Sequence, residues 1–297
     1  MSVLRSRHLG NGKVETPSIP EDISAMSITE MKSCWLPLTQ EGDPGVFASH
    51  YFGTPWMSEG EKWPEGKAPQ SFKGDRRLTL VLQLRVDSLP SPMAKLLGGT
   101  GLVQFFYPHD GLDGSNLSEG EGDLLRLVKP EGMSAASPAP VTPHDPAVPP
   151  HLDVQPEGHV TRAIVGWHEH PDFPHSCETV DRKPRAASSS DDDNDDGCVQ
   201  GDKLGGWPFW TQACERLVRT SRGKVEQLDE EKFERNPKSY LKTRELMVPF
   251  FQLDAGCFFR GPHGNAFAPG LFAGDGTLHL SVLPSDPTVT AFHWACT

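Results

Sequence analysis

Histidines and a cysteine gather in one short stretch, His168-Glu169-His170 followed by Asp172, His175 and Cys177. On a strand, alternate residues point to one face, so His168 and His170 would stand side by side. Imidazole with thiolate is a reasonable ligand set for zinc. The spacing is that of neither a zinc finger nor His-Glu-x-x-His, and Pro171 and Pro174 give the stretch the look of an exposed turn. The expectation is that no metal is bound. His168, His170, His175 and Cys177 are the residues that would hold one if it were.

A second set lies toward the C-terminus. Asp254 and Asp275 fall at strand ends, where paired carboxylates can bind a cation or exchange protons. Asp275-Gly276 is also a strong hairpin signal. Arg260 and His263 sit on a glycine-proline loop, where they can line a ligand pocket or serve only as loop residues. Trp207, Phe209 and Trp210 form an aromatic knot beside Gly205-Gly206. Aromatics there serve either as binding hot spots or as core. Trp207, Trp210, Arg260, His263 and Asp275 are therefore the candidate binding residues. Gly205-Gly206 is not followed by a phosphate-loop pattern, and no Ser-His-Asp or Cys-His arrangement has supporting context. No catalytic residue is assigned, and no cofactor is expected. Gln83, Gln104 and Gln252 lie inside apolar runs, where a buried amide must find partners. Each is expected to tie its strand to a neighbouring loop.

The elements that position these residues repeat. Phe52-Gly53-Thr54-Pro55-Trp56 is followed by a strand over Leu78–Leu84 and another over Leu102–Tyr107. Leu204-Gly205-Gly206-Trp207-Pro208 is followed by strands over Val248–Asp254 and Thr277–Val282. The order is the same in both: a glycine-aromatic-proline turn, a strand holding Gln-Leu, then a glycine-led strand. This pattern reads as an internal duplication, with the copies packed face to face about an approximate two-fold axis. Residues 1–46 read as a polar leader with a short helix from Pro20 to Lys32. Residues 47–128 form the first half, 129–150 a proline-rich linker, and 151–297 the second half. An insertion over 182–201, carrying the Asp191–Asp196 run, is expected to be flexible. Between Pro208 and Met247 two helices are predicted. One is capped by Thr211 and runs through Val218; the other spans Glu226–Phe233 and ends at Asn236-Pro237.

Composition agrees with many short strands: 297 residues carry 29 glycines and 28 prolines, which favour turns over long helices. The net charge is −12, five of it from the aspartate run, and what remains is still acidic. Such a surface disfavours nucleic acid and anionic lipid and favours a basic partner. No apolar stretch is long enough to span a bilayer, and the first residues lack the apolar segment of a signal peptide. The six cysteines are scattered without a C-x-x-C pair, which fits reduced thiols. A cytoplasmic location is expected.

Taken together, Gly101-Leu102-Val103-Gln104-Phe105-Phe106, Leu204-Gly205-Gly206-Trp207-Pro208, Phe251-Gln252-Leu253-Asp254, Gly274-Asp275-Gly276 and Trp294-Ala295-Cys296 resemble the YwqG-like proteins, a family of unknown function. Trp167, Asp172 and Pro174 add to the likeness, which covers roughly residues 47–110 and 160–297. The first turn departs from the family pattern, reading Phe-Gly-Thr-Pro in place of Gly-Gly-x-Pro. The resemblance implies an α+β fold of two similar β-rich subdomains, with short helices in insertions, and brings no established activity with it.

The function expected is non-catalytic binding of another protein, in the manner of an immunity or regulatory protein meeting a basic partner such as a toxin. The alternative is a small-ligand protein or hydrolase with its site in the cleft between the halves. A purely structural module is a third reading.

Overall fold

A computed structural model describes residues 31–42, 44–65, 78–108, 125–130, 161–174, 198–210, 216–254 and 276–296. It is mostly β-sheet with a few short helices. The strands are β1 (Lys32–Glu41), β2 (His50–Tyr51), β3 (Leu78–Arg85), β4 (Leu102–Pro108), β5 (Leu125–Val128), β6 (Arg162–Asp172), β7 (Lys203–Gly205), β8 (Leu217–Thr220), β9 (Val225–Gln227), β10 (Arg244–Leu246), β11 (Val248–Asp254), β12 (Gly276–Leu283) and β13 (Asp286–Cys296). The helices are α1 (Ser91–Leu96), α2 (Glu230–Arg235) and α3 (Pro237–Tyr240).

Ten strands form one sheet in the order β13-β12-β11-β7-β1-β6-β2-β3-β4-β5. Its antiparallel centre is β1 against β6, in register from Lys32 opposite Asp172 to Glu41 opposite Arg162. The two ends of the sheet approach each other. Thr290 Oγ1 donates to Leu125 O across 2.5 Å, and the Phe105 and Phe292 rings meet edge-on with centroids 5.4 Å apart. The sheet thus nearly closes on itself around one apolar core that draws Leu80, Leu82, Phe105, Leu204, Phe251 and Phe292 from both ends. Burial of each such side chain is worth about 1.5–3 kcal/mol.

Two expectations are corrected here. Residues 1–46 are not wholly a leader, because Lys32–Glu41 is the central strand β1. The two repeated segments are not separate facing sheets; they lie in one sheet, on either side of the β1-β6 pair. The rest of the leader, the interior of the proline-rich linker and the aspartate run lie outside the described residues.

Prolines inside strands sit where the ladder permits them. Pro37 is in β1, but β7 pairs only with Cys34 and Trp35, so no bond from its nitrogen is missed on that side. Pro249 falls at the register shift between β11 and β12. A matching shift lies between Leu80 and Leu82 on β3.

A smaller sheet, β10-β8-β9, packs Leu217 and Met247 on Leu283 and Ala291. The predicted helix through Val218 is corrected, since Leu217–Thr220 is strand β8; its proposed cap, Thr211, lies outside the described residues. Of the helix predicted over Glu226–Phe233, Val225–Gln227 is strand β9 and α2 begins only at Glu230. Asp229 caps α2 by accepting from Lys232 N at 3.0 Å. The helix stops at Asn236 as predicted, and the Asn236 side chain then caps α3 through Ser239 N at 3.0 Å.

Candidate functional site

The three glutamines in the strands hold loops, as their types and positions predict. Gln83 Oε1 accepts from Trp56 N at 3.1 Å, and Gln83 Nε2 donates to Val46 O and Ala48 O at 2.9 Å each. Gln104, opposite Gln83 on β4, donates through Nε2 to Trp56 O at 2.7 Å and to Gln83 Oε1 at 2.8 Å. Arg126 Nε donates to Gln104 Oε1 at 2.8 Å, and Arg126 also pairs with Glu61. The loop from Val46 to Trp56 is thereby strapped across the outer face of β3 and β4.

At the other end of the sheet the same pattern holds the segment from Gly201 to Trp210. Gln252 Oε1 accepts from Phe209 N at 2.8 Å, and Gln252 Nε2 donates to Gly201 O at 2.9 Å. His279, opposite Gln252 on β12, uses Nε2 to bond Phe209 O at 3.1 Å, and Thr277 Oγ1 donates to the same carbonyl at 3.2 Å. His279 thus does in the second strap what Gln104 does in the first. The turns also correspond. Phe52 and Gly53 have φ of 54° and 81°, and Gly205 and Gly206 have 68° and 75°. Phe52 holds a conformation that costs a non-glycine residue about 1–2 kcal/mol, offset by complete burial of its ring.

Beneath the second strap lies an ion pair. Lys203 Nζ donates to Asp172 Oδ2 at 2.8 Å, with the side chains 1% and 0% exposed. Val199 N and Trp207 N each donate to the same carboxylate at 2.7 Å. Lys203 Nζ also donates to Val199 O at 2.5 Å and lies 3.8 Å from Cys198 Sγ. Burial by itself would pull the pKa of this ammonium down. The Asp172 charge beside it, helped by Cys198 and Cys34, outweighs burial and holds it above its ordinary value. Cys34 is pushed up to about 12, first by burial and then by the Asp172 charge. Lys203 is thus kept as a cation and Cys34 as a thiol, and neither is prepared to act as a nucleophile. Gly206 completes the cradle: a Cβ there would stand 2.2 Å from Asp172 Oδ2.

Trp207 and Trp210 are 6% and 2% exposed. Lys32 Nζ lies 3.4 Å from the centre of the Trp207 ring, and Trp210 packs on His279 with ring centroids 4.5 Å apart. Both indoles are packing residues of the strap. Asp254 is engaged by the same loop. Its Oδ2 accepts from Gly201 N at 3.0 Å, and its N donates to Asp202 Oδ1 at 2.7 Å. Arg260, His263, Asp275, His175 and Cys177 lie outside the described residues. His168 is exposed on β6, opposite Leu36, and His170 is opposite Cys34. Asp172, on the same face, is committed to Lys203, and among the described residues no group of three or more histidine, cysteine or acidic side chains is placed to hold a metal.

His279 and His293 face each other across β12 and β13, both 2% exposed. Burial, then the neighbouring His293 and Lys203, pull His279 down to about 3, and burial pulls His293 down to about 4. A cavity of about 10 Å³ opens among Lys203, Gly205, Pro208, Phe250, Gln252 and His279, room for about one water molecule. Pockets for small organic ligands run from about 300 Å³.

Sequence reasoning did not single out Lys203, His279 or His293. The one available signal was a lysine two residues before Gly205-Gly206 in an otherwise apolar strand. The exposed large hydrophobic side chains among the described residues are Met31 (45%), Leu38 (50%), Val165 (62%) and Phe173 (41%). All four lie on β1 and β6 or directly beside them. Val165 is the unpaired residue at the register shift opposite Leu38 and Thr39. Among the described residues no helix is long and apolar enough to cross a membrane. Comparison with known proteins yields no matching family model and no matching curated protein.

Proposed function

We propose that this chain is a non-catalytic binding protein, YwqG-like in kind and descended from an internal duplication, that holds another protein against the exposed side of β1 and β6. The observation that carries the reading is the adjoining pair of exposed apolar side chains, Leu38 and Val165, at the register shift of those two strands. Exposed apolar residues gathered in one place mark protein contacts more often than residues scattered singly. Glu169 is exposed on β6, Glu41 on β1 is paired with Arg162, and the acidity lies in the chain as a whole, which carries −12. A partner with a basic rim, such as a toxin held by an immunity protein, matches that charge and would be steered to it. The duplication is supported by the two matching straps, by the matched register shifts and by the outward strand order from β1 and β6. The non-catalytic reading is supported by the chemistry of the buried set, whose lysine is neutralised by Asp172 and whose Cys34 stays protonated.

Capture experiments at low and at high salt test the proposal. A stable protein partner, bound more weakly as salt rises, is the expected result. Failure to retain a protein at either salt removes the reading.

A further inference from the structure

The two straps use related hydrogen bonds, and each holds a buried imidazole: in the first, that of His50 bonds Phe52 O beside the Gln83 amide. In the first, the carbonyl of Trp56 is held by the amide of Gln104, which does not titrate. In the second, the corresponding carbonyl, that of Phe209, is held by the imidazole of His279, which does. Because Nε2 must carry the hydrogen to donate to Phe209 O, Nδ1 is bare, and it finds no partner among the described residues. The ring lies beneath Trp210 and is 2% exposed. His293 faces it from β13, and the Lys203 ammonium on β7, paired with Asp172 of β6, lines the same small cavity. β11 presents the neutral amide of Gln252. Asp202 of the strap accepts from the Asp254 amide, and Asp254 of β11 accepts from that of Gly201. A proton on His279 would therefore be a second buried positive charge near Lys203, opposite another imidazole, and among the described residues no carboxylate is placed to receive it.

We infer that the strap over residues 198–210 is an acid-released cover: protonation of the His279–His293 pair frees it from the sheet, baring Trp207 and Trp210. The inference is independent of the proposed partner. It follows from linkage, because an open strap lets water reach imidazoles that the closed strap keeps neutral. With an ordinary histidine value of 6.5 in the open form and about 3 in the closed form, His279 alone raises the open population about 30-fold between pH 7.5 and pH 5.0. His293 adds to this to the extent that opening exposes it.

Amide hydrogen exchange on the intact chain, corrected for the intrinsic pH dependence of exchange, tests the inference. The expected result is a drop in protection of Trp207 N and Phe209 N of about 30-fold or more from pH 7.5 to 5.0, with the amides of the β3–β4 ladder unchanged. His279→Gln, which copies the first strap, should remove at least the 30-fold share of His279. The reciprocal Gln104→His should make the Trp56 amide acid-sensitive, and it keeps the test decisive if the first variant does not fold. Protection at residues 207 and 209 that is level across this range overturns the inference. So does a parallel loss along the β3–β4 ladder, which would report global unfolding.

Discussion

Replacing Lys203 with methionine removes one charge from the centre of the molecule while nearly keeping its volume. Asp172 is 0% exposed and would keep only the amides of Val199 and Trp207 as partners. Breaking a buried pair from one side costs about 3–5 kcal/mol, since the remaining charge is left uncompensated. At about 2–4 °C per kcal/mol for a protein of this size, Tm should fall by roughly 6–20 °C. A double-mutant cycle with Asp172→Asn separates charge from packing: the losses of the two single variants in denaturant unfolding should not add, leaving a coupling of about 1–3 kcal/mol. A deficit under about 1 kcal/mol for Lys203→Met, or losses that simply add, would refute the assignment of Lys203 as the counter-ion of Asp172.

Gly206→Ala should cost about 3 kcal/mol or more in chemical denaturation, because its Cβ meets Asp172 Oδ2 and its φ is 75°. Gly60→Ala, at φ 73° with nothing within 4 Å, should cost only about 1–2 kcal/mol. Gln252→Leu leaves Phe209 N and Gly201 O without their partner. It should lose about 2–4 kcal/mol and speed hydrogen exchange at Phe209 more than at Trp56. Wild-type stability should fall on acidification, because His279 and His293 are held below their unfolded value of 6.5 and the unfolded chain takes up protons first. Each contributes stability that is complete above about pH 6.5 and is lost toward pH 3–4. The loss is about 2 kcal/mol per histidine by pH 5, readable in urea titrations of wild type against His279→Gln.

The parts of the fold that sequence reveals are those specified locally. Apolar runs gave β3, β4, β11 and β12, and a polar amide inside such a run pointed to the loop clamps. Asn236-Pro237 marked a helix end through proline sterics alone. β1 was hidden because Lys32–Glu41 carries lysine, proline, glutamine and glutamate, and its partner β6 starts more than a hundred residues later. Its strand character comes from that pairing, not from its own composition. Leu217–Thr220 follows a helix-like run, yet bonds to β9 and β10 override that local preference. Asp172 and Lys203 meet only because β6 and β7 flank β1, so their pairing is a product of topology. Trp207 and Trp210 were legible as aromatics at a turn, but only the strap shows that they are covered.

Site-specific photo-crosslinking probes the binding face most directly. A photoreactive phenylalanine at Val165 or at Leu38 should give a covalent adduct with one basic protein in cells. The same group at Lys62, exposed in the segment that follows the first strap, should give none. Adducts of equal yield at all three positions, or at Lys62 alone, would contradict a partner seated on β1 and β6.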